Sequence, residues 1–162
     1  MDKVTLERTE LLHPALRAEA KEIYAEICER LTGRATCRFS HTLRTFAEQD
    51  ALYAQGRKVV GPIVTKAKAG QSFHNYGLAI DIVLIVDGKT ASWDNATDFD
   101  KDGLSDWQEV VYVFGLYGWE WGGNWKFKDT PHFQKAFGLT ISECLTRYNS
   151  KQLIAGTNYI RL

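Results

Sequence analysis

The chain contains the segment Ser72-Phe-His74-Asn-Tyr-Gly77-Leu-Ala-Ile-Asp81-Ile-Val-Leu-Ile-Val86, from which the rest of the sequence can be interpreted. Residues 78–86 form an apolar run rich in β-branched side chains, which predicts a strand covered on both faces. Asp81 lies in the middle of this run. Because a buried, unpaired carboxylate is too costly to keep, Asp81 must be protonated, paired with a cation or bound to a metal.

The spacing between His74 and Asp81 limits how the two side chains could meet. On one continuous helix they would lie about 10 Å apart along the axis, and on one straight strand they would point to opposite faces. Neither arrangement suits a metal ion, whose bonds are about 2 Å long. The segment Asn75-Tyr-Gly77 supplies turn chemistry between them. His74 and Asp81 therefore converge only if the chain folds back at Gly77. The alternative is a His at the end of a loop and an Asp paired with a buried Arg.

A second segment, Asp129-Thr-Pro-His132, supplies further candidates. Pro131 disfavours helix at the preceding residue, so this segment is predicted to be extended or turning. A hydrolytic metal site needs three protein ligands and a carboxylate near the activated water. His74, Asp81 and His132 could provide the first, and Asp129 the second. Glu120 is an alternative general base, but its position between two Trp favours a structural or substrate-contacting role.

The ordered pattern Ser72-x-His74-x-x-Gly77-x-Ala79-x-Asp81, followed by Asp129-x-x-His132, resembles a family of zinc peptidases that cleave peptidoglycan stem peptides. That family includes D-alanyl-D-alanine carboxypeptidases and dipeptidases and the L-alanyl-D-glutamate endopeptidases of phage endolysins. The resemblance runs from about Arg38 to Gln134. It implies an α+β fold, in which a small antiparallel sheet carries the metal site and is flanked by helices, as in the hedgehog signalling domain.

The resemblance also implies roles for individual residues. Zinc would be held by His74, Asp81 and His132, with Asp129 as the general base. Arg44, just before a helix, would point into the site and stabilise the oxyanion, and substrate contacts are expected from Ser72 and Trp121. We expect L-alanyl-D-glutamate endopeptidase activity on a stem peptide. The alternatives are a D-alanyl-D-alanine carboxypeptidase or dipeptidase and a non-catalytic binding module that keeps the metal for structure.

A separate acidic segment, residues 98–109, matches the calcium-loop pattern Asp-x-Asp-x-Asp-Gly-x5-Glu at every position. No convincing helix precedes it, so it predicts a calcium loop rather than a full helix-loop-helix hand. The alternative is an acidic turn that caps a helix over 104–117. The predicted calcium ligands are Asp98, Asp100, Asp102, the carbonyl of Leu104, Asp106 and Glu109.

Other patterns predict the elements around the site. Apolar residues at helical spacing indicate a helix over 14–31, and residues 35–40 indicate a strand. Thr45 with Glu48 forms a capping box for a helix ending near Gln55, and Thr140 caps a further helix. A short strand is expected over 119–121. His13 is interpreted as a surface residue, and Cys28, Cys37 and Cys144 as reduced core residues.

Composition limits the class of protein. The 162 residues are 44% hydrophobic and suit one catalytic domain over 1–162 without a separate wall-binding module. The twenty basic residues balance the twenty acidic ones, which argues against binding to nucleic acid. From the charged first residues and the lack of a long apolar window, we expect neither a signal peptide nor a membrane-spanning segment. We expect a monomer that is made in the cytoplasm and acts on the cell wall after release.

Overall fold

Five helices and five strands form the chain, and the computed structural model describes all 162 residues. The helices are α1 (Lys3–Thr9), α2 (Arg17–Arg30), α3 (Phe46–Ala54), α4 (Asp106–Leu116) and α5 (Ile141–Asn149). The strands are β1 (Ala35–His41), β2 (Ala79–Val86), β3 (Thr90–Ser92), β4 (Glu120–Trp121) and β5 (His132–Gln134). The predicted α+β class is confirmed. None of the helices has both the length and the apolar character needed to cross a bilayer.

The strands form one antiparallel sheet in the order β1-β2-β5-β4, with β3 also paired to β2. The side chains of β2 alternate between the two faces of this sheet. Ile80, Ile82, Leu84 and Val86 enter the main core, whereas Asp81 on the other face remains partly exposed. The prediction that β2 is covered on both faces is therefore wrong in part: on the second face Asp81 and Ile85 are partly exposed, whereas Ala79 and Val83 are buried.

The main core lies between the sheet and the helices α2 and α4, which pack against each other. The core contains 24 buried residues that extend from Leu12 to Ile160. Trp107 and Phe114 on α4 are fully buried, and Phe114 stacks on Phe133 of β5. Because β5 also carries His132, the packing of α4 helps to fix the strand that presents this imidazole.

Several elements start and end where local signals indicate. The Thr45 hydroxyl accepts a hydrogen bond from the backbone of Glu48, and the Thr45 backbone N–H donates to the Glu48 carboxylate, which confirms the predicted capping box. Thr140 and Glu143 form a second box at the start of α5. Helix α4 begins at Asp106 rather than at residue 104, because Ser105 is its N-cap. The short strand β3 has no counterpart in the predictions.

His13 is not the surface residue that the sequence suggested. It is buried, with Nε2 2.8 Å from the carbonyl of Ile160, and its Nδ1 accepts from the backbone of Ala15. Burial lowers the pKa of His13, which favours the neutral ring. The prediction failed because the C-terminal segment covers this residue from far along the chain. Cys28 is also misplaced by the prediction: it is exposed, whereas Cys37 and Cys144 are buried and all three are free.

Gly77 occupies a position that only glycine fits well. Its φ is +67°, and a Cβ there would lie 2.5 Å from the backbone nitrogen of His13. We expect Gly77→Ala to lower the free energy of unfolding by about 1–2 kcal/mol from left-handed strain, with about 1–3 kcal/mol more from the steric overlap. Gly88→Ala is a matched control, since Gly88 has the same φ but open space around it. Equal losses in the two variants, measured by urea unfolding, would contradict the steric argument.

Candidate metal centre

Two local structures bring His74 and Asp81 to the same point. His74 lies in the 3₁₀ turn Phe73–Tyr76, which Gly77 ends in a left-handed conformation just before β2. Asp81 on β2 is the direct cross-strand partner of His132 on β5. One ligand atom from each of these three side chains lies within 4.8 Å of the others. The turn at Gly77 predicted from the sequence is thus present, and the cross-strand register adds the third side chain.

The hydrogen bonds of His74 leave one ring nitrogen available to a metal. Nδ1 lies 2.7 Å from the carbonyl oxygen of Thr42. Since a carbonyl only accepts, Nδ1 carries the hydrogen, and a neutral ring therefore has its lone pair on Nε2. This Nε2 is buried without a hydrogen-bond partner and lies 3.2 Å from Asp81 Oδ1. Two acceptors that face each other at this distance suit a cation between them.

The same argument applies to His132 through two neighbouring side chains. Gln134 donates from its amide nitrogen to Glu120 Oε2 at 3.0 Å, which turns the amide oxygen toward His132. That oxygen lies 2.9 Å from His132 Nε2, so Nε2 carries the hydrogen and Nδ1 faces Asp81 Oδ1 at 3.2 Å. Two imidazoles and one carboxylate therefore offer lone pairs to one point, and their second ring nitrogens are held by hydrogen bonds. This donor set fits zinc.

The charges of the three side chains agree with this assignment. Burial would raise the pKa of Asp81, but the two neighbouring imidazoles of His132 and His74 outweigh burial and hold this pKa well below its usual range. Burial would likewise lower the pKa of His132, and the bond to Asp81 reverses that effect. Asp81 is thus ionised, and a divalent cation would replace the protons that the imidazoles otherwise share with it.

Arg44 lies beside this cluster and is held in place by buried groups. Its Nη2 is 3.9 Å from Asp81 Oδ2, and its Nη1 donates to Gln49 Oε1 at 3.2 Å. Gln49 is fully buried and is fixed in turn by a bond to the carbonyl of Ala67. The backbone nitrogen of Arg44 donates to the carbonyl of His74. The guanidinium is therefore positioned before any ligand arrives.

Asp129 lies in the same cleft as the three clustered side chains and Arg44, and this cleft has a volume of about 460 Å³. The backbone N–H of Asp129 donates to the carbonyl of Gly122, and the carbonyl of Asp129 accepts from the backbone N–H of His132. The turn from Asp129 to His132 is therefore fixed at both ends. Burial raises the pKa of the Asp129 carboxyl, and the charge of Asp81 adds to this effect. A raised pKa suits a carboxyl that must both accept and return a proton near neutral pH.

The two predicted substrate contacts are placed differently. Ser72 lines the cleft, and its Oγ also accepts from the backbone of His74 at 3.3 Å. Trp121 does not line the cleft: its indole donates to the carbonyl of Thr130, and its ring stacks on Phe133. Trp125 lines the cleft instead, with its ring 5.3 Å from that of His132. The substrate contact of Trp121 stays a prediction, and in this structure its ring packs along β5 while Trp125 lines the cleft.

Some residues that build the site were not predicted. Gln134 is two places beyond His132 on the same strand and so shares its face, a signal that the period of a strand could have supplied. Thr42 acts through its carbonyl and Gln49 through a buried amide, and neither has a sequence signature. His41 is exposed at the edge of the cleft and is not part of the cluster.

We expect Gln134→Ala to weaken zinc binding by about 10–100-fold, because His132 would lose the bond that fixes its tautomer. Competition with a chromogenic chelator measures this change. Gln152→Ala is a suitable control, since Gln152 is exposed and its side chain makes no hydrogen bond. Unchanged zinc affinity in Gln134→Ala would show that the tautomer is fixed by other means.

The predicted calcium ligands lie outside the cleft, in the loop before α4 and in the first turn of that helix. Carboxylate oxygens of Asp98, Asp100 and Asp106 lie within 4.8 Å of one another, as do those of Asp100, Asp102 and Glu109. Leu104, whose backbone carbonyl is the remaining predicted ligand, lies in the same loop and is exposed. These acidic side chains are therefore a second cluster, separate from the histidines.

An antiparallel sheet with two imidazoles and a carboxylate at the floor of a cleft, beside a further carboxyl and an arginine, defines a metallopeptidase. The chain belongs to the M15 peptidase family, whose members are zinc-dependent. The family model described as D-alanyl-D-alanine carboxypeptidase matches residues 65–135.

One similar protein supports this placement, and one solved structure shares the fold. The chain is 43% identical over 124 residues to the peptidoglycan L-alanyl-D-glutamate endopeptidase CwlK of Bacillus subtilis, covering 76% of this chain and 72% of that protein. The crystal structure of the L-Ala D-Glu endopeptidase ChiX of Serratia marcescens has the same fold, with a TM-score of 0.56 and 24% identity. That match covers 85% of this chain and 90% of ChiX.

Proposed function

We propose that the protein is a zinc-dependent endopeptidase that cleaves the L-alanyl-D-glutamate bond of peptidoglycan stem peptides. The observation that carries this proposal is the convergence of His74, Asp81 and His132 in a cleft that also holds Asp129 and Arg44. The 43% identity to CwlK supports the choice of bond. The complete set of reactive groups disfavours a non-catalytic module, which would need only the metal ligands.

Each residue has a defined task in this proposal. Zinc held by His74 Nε2, His132 Nδ1 and Asp81 would lower the pKa of water and polarise the scissile carbonyl. The Asp129 carboxylate takes the proton of the attacking water and returns it to the leaving amine. The guanidinium of Arg44 stabilises the negative charge that develops on the carbonyl oxygen. Its bond to Gln49 keeps it aligned without reorganisation.

The cleft walls suit an extended peptide that carries carboxylates. Ser72 and Trp125 line the cleft, and Arg44 is the cation among its lining residues. We propose that residues 1–162 act as one catalytic domain, since the core joins residues from Leu12 to Ile160. We also propose that the protein acts as a monomer on the cell wall. A second ion, calcium, is proposed for the acidic loop and is argued separately below.

Digestion of purified peptidoglycan, followed by mass analysis of the fragments, tests the bond assignment. Cleavage at the proposed bond gives a new amino-terminal D-glutamate and leaves L-alanine on the glycan. Release of free D-alanine would instead indicate D-alanyl-D-alanine carboxypeptidase activity. If the zinc-loaded protein binds the wall but releases no new amino groups, this result would contradict the enzymatic proposal and favour a binding module.

A further inference from the structure

The acidic loop before α4 has no task in the proposed reaction. It spans twelve residues, Asp98 to Glu109, and contains no His or Cys. Carboxylate oxygens from all five acidic positions of the pattern fall into two groups that share Asp100, each within 4.8 Å. Like charges placed this close repel one another unless a cation lies among them.

Buried oxygens in this loop provide an independent observation. Asp106 is fully buried and Glu109 is only 4% exposed. Asp106 Oδ2 and Glu109 Oε2 nevertheless have no hydrogen-bond partner, and neither does Asp100 Oδ1. Buried carboxylate oxygens without partners are costly.

Helix capping explains only part of this arrangement. Ser105 is the N-cap of α4, with its Oγ accepting from the backbone of Gln108. Asp106 Oδ1 accepts from the backbone of Phe99 at 2.6 Å. These bonds account for the start of the helix, but they leave Asp106 Oδ2 and Glu109 Oε2 buried without a donor. A purely structural acidic cap would place such oxygens in water or on backbone N–H groups.

The loop is also attached to a distant part of the chain. Asp100 Oδ2 accepts from the backbone nitrogen and the hydroxyl of Thr32. A Cβ on Gly33 would lie 2.5 Å from the Cβ of Asp100, so the turn between α2 and β1 packs directly on the loop. An ion bound by Asp100, Asp106 and Glu109 would therefore join this turn to the first residues of α4.

We propose that residues 98–109 bind one calcium ion, which fastens α4 to the turn between α2 and β1. Carboxylate oxygens are hard ligands that suit calcium, and the spacing is that of a twelve-residue calcium loop. The ligands are side chains of Asp98, Asp100, Asp102, Asp106 and Glu109, with the carbonyl of Leu104. The ion is structural, because none of these residues lines the cleft. This inference does not depend on which peptide bond the enzyme cleaves.

The test uses the full chain loaded with one equivalent of zinc in calcium-depleted buffer. Calcium is titrated from about 1 µM to 1 mM, the range of sensor and extracellular calcium loops, and followed by calorimetry and thermal unfolding. We expect one saturable site, and Tm should rise by about 5–10 °C at a hundredfold excess over Kd. No binding heat, or an equal response to magnesium, would overturn the assignment to calcium.

Two variants and one control make the test specific. Glu109→Gln removes one of the crowded charges, so its Tm without calcium should be equal to or higher than that of the parent, and its response to calcium should be lost. Asp102→Ala tests the same site at an exposed position and avoids a folding defect. Glu29→Gln on the outer face of α2 is the control and should keep the full response. An undiminished calcium response in both site variants would overturn the proposal.

Discussion

Asp129→Ala should lower kcat by about 10²–10⁴-fold, the usual contribution of a positioned general acid–base group. The protein should still bind one zinc ion, because Asp129 lies outside the three-residue cluster that would hold the metal. Asp129 is exposed and lines the same cleft, where partial desolvation raises the pKa of its carboxyl. The expected result is therefore an enzyme that is folded and loaded with metal but nearly inactive.

Asp129→Asn separates chemistry from packing in this experiment. The amide keeps the shape of the side chain and cannot act as a base, so the loss of kcat should match that of the alanine variant. Zinc content is measured by atomic absorption after gel filtration. A zinc-free Asp129→Ala protein would indicate that Asp129 is a ligand, and activity close to that of the parent would remove it from the reaction.

His74→Ala should abolish zinc binding and activity together. The Nε2 of this imidazole is buried without a hydrogen-bond partner, and its Nδ1 is already held by a bond to the carbonyl of Thr42. Without it, two side chains remain for an ion that requires at least three protein ligands in a catalytic site. The variant should lose its metal in dialysis and show no release of amines from peptidoglycan at any enzyme concentration that gives a signal with the parent.

His41→Ala is the matched control for this prediction. His41 is exposed at the edge of the same cleft and faces Asp81 across β1 and β2, but it does not belong to the cluster. It should retain one zinc per chain. Zinc retained by His74→Ala, or lost from His41→Ala, would contradict the ligand assignment. Circular dichroism of both variants shows whether the fold is intact.

Much of the site could be predicted because its signals are local. Gly77 identifies the turn that lets His74 approach Asp81, and Pro131 identifies the extended segment before His132. Capping boxes at Thr45 and Thr140 set the starts of two helices for the same reason, since their bonds span three residues. Such interactions depend on neighbours in the chain, which a single sequence displays.

The amino-acid sequence by itself determined the chemistry: which residue types could hold a metal, which turns separate them and where an acidic loop occurs. Only the tertiary structure decided that His13 is buried under the C-terminal segment, that Trp125 rather than Trp121 faces the cleft, and that Gln134 orients His132. These outcomes depend on strand register and on packing between distant segments. Their energies arise from contacts that form only when the chain is folded. The spacing of His132 and Gln134 could indicate a shared strand face, but not the bond between them.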